Sequence, residues 1–173
     1  GSSRILKRMN RTYTKEEFLS LVNMIKNKIP NCGLTTDIIV GFPGETDEEF
    51  QETLEVVSKL KFDAAFMFKY SSRPGTKASH YADHISEDIK QSRLQTLIEF
   101  QQKIGLMNNR KKIGLDLDVV IERNSKKSIN QWAGRTESNT WVIFDKKDNY
   151  KIGDIVNVNI LDAQGITLFG KIN

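Results

Sequence analysis

The stretch that most constrains the fold is T-T-D-I-I-V-G-F-P-G-E-T, which runs from Thr35 to Thr46. Its first half is an apolar run ending at Val40, which predicts a strand buried on both faces of a sheet. A glycine- and proline-containing turn follows, and Thr46 with Glu49 forms the capping box of a helix. The order strand, turn, helix is typical of an α/β fold, in which such turns lie where ligands bind.

The turn itself has two interpretations. Gly41 and Gly44 allow the backbone to approach a ligand closely, and the start of the next helix offers free N–H groups. Alternatively, these glycines and Pro43 only make a turn, and the spacing favours neither interpretation. The segment matches neither the P-loop pattern nor the dinucleotide-binding pattern G-x-G-x-x-G, so neither of those nucleotide motifs is inferred.

Further helices and a second strand flank this stretch. Thr14 and Glu17 form another capping box, for a helix that ends near Lys28. The strand predicted before Thr46 starts near residue 33, and the helix after it ends near Leu60. The remaining elements before residue 112 are an aromatic-rich strand, 62–70, and a long helix from Ser86 to about Lys111. Two parallel strands joined through a helix predict about half of an α/β barrel.

The composition changes near Ile113, where we place a domain boundary. Runs such as L-D-L-D-V-V-I-E from Leu115 and D-I-V-N-V-N-I-L from Asp154 alternate with a period of two, which is typical of half-buried strands. Together with 132–136, 140–144 and 166–172 they predict five short strands. That pattern favours a small closed barrel of the OB-like kind.

Three motifs identify a family resemblance. Besides Thr35–Thr46, the chain carries R-I-L-K-R-M-N-R at Arg4–Arg11 and Y-S-S-R-P-G-T at Tyr70–Thr76. In this order and approximate spacing they closely resemble the radical-SAM methylthiotransferases, and within them the tRNA 2-methylthio-adenosine synthases (MiaB type). The resemblance implies an α/β plus β protein: residues 1–112 as the C-terminal half of a partial (βα)6 radical-SAM barrel, and residues 113–173 as a five-stranded TRAM domain.

The resemblance also implies the activity and cofactors of a full-length enzyme. Such an enzyme uses S-adenosyl-L-methionine (SAM) and two [4Fe–4S] clusters to add a methylthio group to C2 of N6-isopentenyladenosine beside the anticodon of tRNA. The sequence has one cysteine, Cys32, whereas a thiolate-ligated cluster needs three or four ligands. We therefore expect a C-terminal fragment that is inactive alone, in which Cys32 is an inert packing residue.

The cofactor contacts implied by the resemblance lie in the glycine-rich loop and at the start of the chain. Gly1–Ser3 fits a family motif, although it is equally consistent with a tag remnant. The general radical-SAM pattern is G-x-I-x-G-x-x-E. In this chain Asp37 stands at the first glycine position, and the glutamate lies one residue late. The resemblance therefore identifies the loop as a whole but not its individual contacts. The expected SAM-binding residues are Ser2, Asp37, Gly41, Phe42, Pro43, Gly44 and Glu45.

RNA contacts are expected in both parts of the chain. In the barrel part they are Arg8, Arg11, Tyr70 and Arg73. A solvated helix end is the simpler role for Arg8 and Arg11, and bracing of the Pro74–Gly75 turn is the simpler role for Arg73. In the TRAM part, where G-R-T at 134–136 matches the family signature, they are Lys126, Lys127, Trp132, Arg135 and Asn139. The alternative is a solvated lysine loop and core tryptophans; core is favoured for Trp141 and left open for Trp132.

Charge and hydropathy set the expected surroundings and partners. A net charge of +4 permits a nucleic-acid partner, and no apolar run reaches membrane-spanning length or resembles a signal peptide. We expect a cytoplasmic setting with no membrane partner. The expected partners are the anticodon arm of tRNA and, for the full enzyme, an electron-donor protein. His80 and His84 lack a third ligand, so no metal site is predicted.

Two alternatives to the tRNA-modifying function remain open at this point. One is the ribosomal-protein aspartate methylthiotransferase of the same superfamily, and R-M-N-R with S-S-R-P-G-T favours the tRNA enzyme over it. The other is a stand-alone RNA-binding module without catalysis. The incomplete barrel predicts an uncovered sheet edge and self-association.

Overall fold

The computed structural model describes residues 1–147 and 149–173, which form two compact units, Gly1–Gln101 (unit 1) and Gln102–Asn173 (unit 2). Helix α4 runs across the division, and the functional boundary predicted at 112/113 stays a prediction. The helices are α1 Ser3–Arg8, α2 Lys15–Lys28, α3 Asp47–Leu60 and α4 Glu87–Arg110, with a short 3-10 turn at Lys77–His80. The strands are β1 Thr35–Val40, β2 Ala64–Lys69, β3 Asp116–Asn124, β4 Gln131–Thr136, β5 Trp141–Asp145, β6 Ile155–Gln164 and β7 Thr167–Ile172.

Unit 1 is built on the parallel pair β1–β2, in register from Thr35 opposite Ala64 to Val40 opposite Lys69. Both capping boxes are confirmed, because the side chains of Thr14 and Thr46 each accept a hydrogen bond from the backbone of the glutamate three residues later and receive the reciprocal bond. The strand–turn–helix–strand order predicted from the sequence is therefore present. No helix in the described part of the chain is long and apolar enough to cross a membrane.

The expectation that β1 is buried on both faces is wrong. Val40 is fully buried, but Ile39 on the opposite face is 37% exposed, and its neighbours on β2, Phe66 and Phe68, are 62% and 52% exposed. Within the described residues, the β1–β2 pair is covered on one face only. The uncovered apolar face agrees with an incomplete barrel, and self-association through it stays a prediction. Cys32, expected to pack inside, is also exposed.

Helix α4 buries polar and charged residues beside the apolar residues Leu97 and Ile104. Lys90, Arg93 and Gln101 are 5%, 7% and 4% exposed, at helical spacing with the fully buried Leu97, whereas Ile89 is 46% exposed. Gln101 donates to the backbone carbonyl of Phe62 at 2.8 Å. The buried cations have partners inside unit 1: Lys90 pairs with Glu87 on α4 itself, and Arg93 pairs with Glu45 at the glycine turn.

Unit 2 is a closed barrel with the strand order β3-β4-β5-β7-β6, antiparallel except for the parallel pair β5–β7. Its core draws alternate residues from all five strands, including Val119, Ile121, Val142, Phe144 and Leu168. A Cβ at Gly134 would lie 2.3 Å from the carbonyl oxygen of Val120, so only glycine allows the strands to approach there. The predicted five-stranded β-barrel is confirmed.

Candidate functional site

The glycine turn after β1 is held by the chain's own side chains. Gly41 and Gly44 have φ angles of 72° and 77°, which favour glycine. A Cβ at Gly41 would lie 2.5 Å from Cγ of Lys90, and one at Gly44 would lie 2.3 Å from Oδ2 of Asp83. At Gly41 the packed Lys90 side chain and the positive φ together favour glycine, and at Gly44 the positive φ does so.

Glu45 closes the turn from within. Its buried carboxylate accepts hydrogen bonds from the Gly41 N–H at 2.7 Å and from Arg93 Nη1 at 2.8 Å. Arg93 also donates to the Glu45 carbonyl at 3.0 Å and to Asp47 at 2.6 Å. Burial raises the pKa of Glu45, while the Gly41 N–H and the Arg93 guanidinium oppose that shift. The Glu45 carboxylate is thus engaged in fixing the turn rather than free for a cofactor.

Ser2 is engaged in a similar way at the start of α1. Its hydroxyl donates to Glu49 Oε1 at 2.7 Å and accepts from the Ile5 N–H at 3.2 Å. Arg4 binds both oxygens of the same carboxylate, at 2.8 and 2.6 Å, and reaches the Gly44 carbonyl at 2.5 Å. This bidentate pair lowers the pKa of Glu49 to about 2. The cluster joins α1, the turn and α3.

The low pKa of Glu49 makes unit 1 acid-sensitive. Because the folded pKa lies below the ordinary value of 4.5, the stabilisation is complete above pH 4.5 and is lost as the pH falls toward 2. We expect Glu49→Gln to cost about 2 kcal/mol at pH 7, allowing for the half-exposed Arg4, and almost nothing at pH 2. Urea unfolding followed by circular dichroism at both pH values measures this. An equal cost at both would contradict the ion-pair explanation, and Glu55→Gln is the exposed-carboxylate comparison.

Two cavities in unit 1 are lined by predicted site residues; Arg11 lines both, and Gly41, Pro43 and Gly44 line neither. The smaller, about 150 Å³, is lined by Ser2, Asp37 and Glu45. The larger, about 960 Å³, is lined by all four RNA-binding residues predicted in this unit: Arg8, Arg11, Tyr70 and Arg73. Phe42 lines it as well. Ligand pockets commonly measure about 300–1,000 Å³. The larger cavity is therefore the candidate site, and we call it the basic cavity.

The basic cavity combines positive charge with an apolar side. Its lining holds six cations and no carboxylate: Lys7, Arg8, Arg11, Lys69, Arg73 and Lys77. Ile39, Phe42 and Phe68 supply apolar surface, and the hydroxyl of the buried Tyr70 has no hydrogen-bond partner among the described residues. Such a lining suits an anionic ligand that also carries an apolar or aromatic group.

The cations of the basic cavity are not equivalent. Arg8 donates to both carboxylate oxygens of Asp83, at 2.7 and 2.9 Å, and lies 4.5 Å from the ring centroid of Tyr81. Arg8 therefore holds the segment around Asp83 in place, and the Asp83 carboxylate largely neutralises its charge. Arg11 and Arg73 have no ion-pair partner among the described residues, and both are exposed. They are the better placed of the four for an anion.

The described residues do not fit an iron–sulfur cluster. They contain no group of three or more His, Cys, Asp or Glu side chains that could hold a metal ion, and Cys32 is exposed and single. SAM is a different case, because the basic cavity is large enough for it and meets the glycine turn at Phe42.

The RNA-binding residues predicted in unit 2 do not converge on one spot. Lys126 and Lys127 are exposed in the β3–β4 loop, whereas Asn139 lies at the far end of β4, about 17 Å along the strand. Asn139 has a φ of 61° and its side-chain oxygen accepts from Arg135 at 2.7 Å, which gives it a role in the turn.

The two tryptophans of unit 2 have roles that the sequence did not assign. Trp132 is 9% exposed and belongs to the barrel core, so its placement argues against base stacking. The expectation that Trp141 is core is wrong: it is half-buried on the outward face, with the guanidinium carbons of Arg123 and Arg135 each 4.4 Å from its ring centroid. A tryptophan within an alternating strand pattern is compatible with either face of the strand, so the sequence alone could not assign Trp141 to the outward face.

Three further residues of these sites escaped sequence reasoning. Arg93 and Asp83 act on the glycine turn from positions far along the chain, and no local motif marks them. Arg123 lies beside a β-bulge between Ile121 and Arg123, which interrupts the two-residue alternation that would have shown its direction.

Comparison with known proteins supports the resemblance. Residues 1–57 match the model of the Radical SAM superfamily, and residues 110–172 match that of the TRAM domain. Curated relatives named tRNA-2-methylthio-N(6)-dimethylallyladenosine synthase include those of Christiangramia forsetii, 48% identical, and Bacteroides thetaiotaomicron, 49% identical, over 99% of this chain. The chain spans 36% and 38% of the length of these two relatives. The chain therefore combines a segment of the Radical SAM superfamily with a TRAM domain, and over nearly its whole length it is similar to curated tRNA-2-methylthio-N(6)-dimethylallyladenosine synthases.

Proposed function

We propose that this chain forms the tRNA-holding part of a methylthiotransferase that modifies C2 of N6-dimethylallyladenosine beside the anticodon. The observation that carries the proposal is the basic cavity, whose lining has six cations, no carboxylate and an apolar side. Arg11 and Arg73 would bind backbone phosphates, and Ile39 with Phe68 would contact the apolar substituent of the base. The names of the relatives support this choice of substrate.

SAM is proposed to bind at the end of the basic cavity next to Phe42 and the glycine turn. When bound, it would supply the radical chemistry and the methyl group of the reaction. Of the remaining predicted contacts, Gly41, Pro43 and Gly44 would act by fixing the turn beside that end of the cavity, whereas Asp37 lines the smaller cavity. Since the chain has one cysteine, the ligands of both [4Fe–4S] clusters would have to come from residues outside this sequence. A tRNA partner in the cytoplasm and an electron-donor protein belong to the same proposal.

The test is binding of a labelled anticodon hairpin that carries N6-dimethylallyladenosine, measured by fluorescence anisotropy. We expect Arg11→Ala and Arg73→Ala each to weaken binding about threefold to fivefold and to reduce the slope of log K against log salt by about 0.7. Lys28→Ala, an exposed cation on α2 outside the cavity, is the matched control. The parent chain should bind the unmodified hairpin more weakly than the modified one. A Phe68→Ser variant should bind both hairpins equally.

Two results would count against the proposal. If the parent chain binds neither hairpin at low salt, RNA binding by this chain is wrong. If binding occurs but Arg11→Ala and Arg73→Ala match Lys28→Ala, the basic cavity does not contact the RNA backbone.

A further inference from the structure

A cluster of one aromatic ring and two guanidiniums lies on the outward face of the unit 2 barrel. Arg135 on β4 stands directly opposite Trp141 on β5, and Arg123 reaches the same ring from β3. We call these three residues the arginine–tryptophan cluster. Cation–π contacts of this kind hold a guanidinium over an aromatic ring while its edge stays free for hydrogen bonds.

The two arginines of the cluster differ in how many partners their guanidiniums already have. Arg135 donates to Asn139 at 2.7 Å, and its Nε lies 3.4 Å from a carboxylate oxygen of Glu122. Arg123 is exposed and has neither a hydrogen-bond acceptor nor a carboxylate for its guanidinium among the described residues. The tryptophan thus positions a cation whose N–H donors are all available.

We infer that Arg123, oriented by Trp141, binds a backbone phosphate of single-stranded RNA. A guanidinium binds phosphate through two parallel hydrogen bonds, and holding it in advance lowers the conformational entropy that binding would cost. The half-buried ring offers an apolar surface for the adjacent ribose or base. An acidic peptide would use the charge but not the ring, so RNA is the better match. The inference rests on the proposed function, since it names an RNA contact of the same protein.

The experiment measures binding of a labelled single-stranded RNA with the anticodon-loop sequence by the full chain. We expect Arg123→Ala to weaken binding about tenfold and to reduce the salt slope by about 0.7. Lys171→Ala, an exposed cation on β7, removes the same charge elsewhere on the barrel and should change neither. Arg123→Lys keeps the charge but loses the paired hydrogen bonds, so it should retain the slope and lose affinity.

Tryptophan emission gives a second readout. RNA should quench the emission of the parent chain, and the quench should disappear in Trp141→Phe, which keeps an aromatic ring at this position. If Arg123→Ala binds like Lys171→Ala and the quench survives in Trp141→Phe, the inference is overturned while RNA binding by the chain stands. If the parent chain does not bind this RNA, both the inference and the proposed function fail; if an acidic peptide competes equally well, the site is not an RNA site.

Discussion

Replacing Arg93 by alanine is expected to lower the free energy of unfolding of unit 1 by about 3–5 kcal/mol. Arg93 is 7% exposed, and its guanidinium donates hydrogen bonds to the carboxylate and the carbonyl of Glu45. Without it, the Glu45 carboxylate would remain buried with only the Gly41 N–H as a partner. An uncompensated buried charge is far more costly than a lost surface contact.

The measurement is urea unfolding followed by two signals. Far-ultraviolet circular dichroism reports mainly the helices, three of which lie wholly in unit 1, whereas both tryptophans lie in unit 2. The circular-dichroism transition should move and the tryptophan transition should stay. Lys103→Ala, an exposed residue on the same helix, should change the free energy by less than about 0.5 kcal/mol.

A double variant separates charge from packing at this site. Glu45→Gln keeps an acceptor for the Gly41 N–H but removes the buried charge, so in the Arg93→Ala background it should restore part of the lost stability. If Glu45→Gln restores nothing there, the cost comes from packing of Arg93 over the ring of Phe50, whose centroid is 5.6 Å away. That result would make Arg93 a packing residue.

Local patterns predicted the elements of this chain because their causes are local. The Thr14 and Thr46 caps each need a partner three residues away, and the alternation in β3 and β6 follows directly from strand geometry. The cation of Arg93 has no such local signature. Its partner Glu45 is 48 residues distant, so nothing near position 93 indicates that this charge is buried.

The candidate site was predictable as a region but not residue by residue. The motif residues Arg11, Tyr70 and Arg73 line one cavity, and the segment of Tyr70 and Arg73 directly follows the carboxyl end of β2. Ser2 and Glu45, in contrast, turn toward internal partners. Which face of a loop a polar side chain takes depends on the donors that surround it in three dimensions, and those are invisible in a single sequence.

Replacing Trp132 by alanine is expected to destabilise unit 2 by about 3–5 kcal/mol, the usual cost of removing a large core aromatic side chain. The ring packs in a core cluster with residues such as Ile121, Val142 and Phe144. Its indole nitrogen has no hydrogen-bond partner among the described residues, so its contribution comes from packing and from the ammonium of Lys146, which lies 4.1 Å from the ring centroid. Trp141→Ala, on the outward face, should cost about 1 kcal/mol or less beyond its cation–π contacts.

Urea unfolding followed by the emission of the remaining tryptophan measures both variants. Trp132→Phe fills part of the space and should recover about half of the loss, which supports packing as the cause. RNA affinity should be lost in Trp132→Ala only under conditions where unit 2 is unfolded. If Trp132→Ala stays folded with nearly parental stability and yet binds RNA more weakly, the ring faces the RNA. In that case Trp132, rather than the arginine–tryptophan cluster, would be the stacking platform of the barrel.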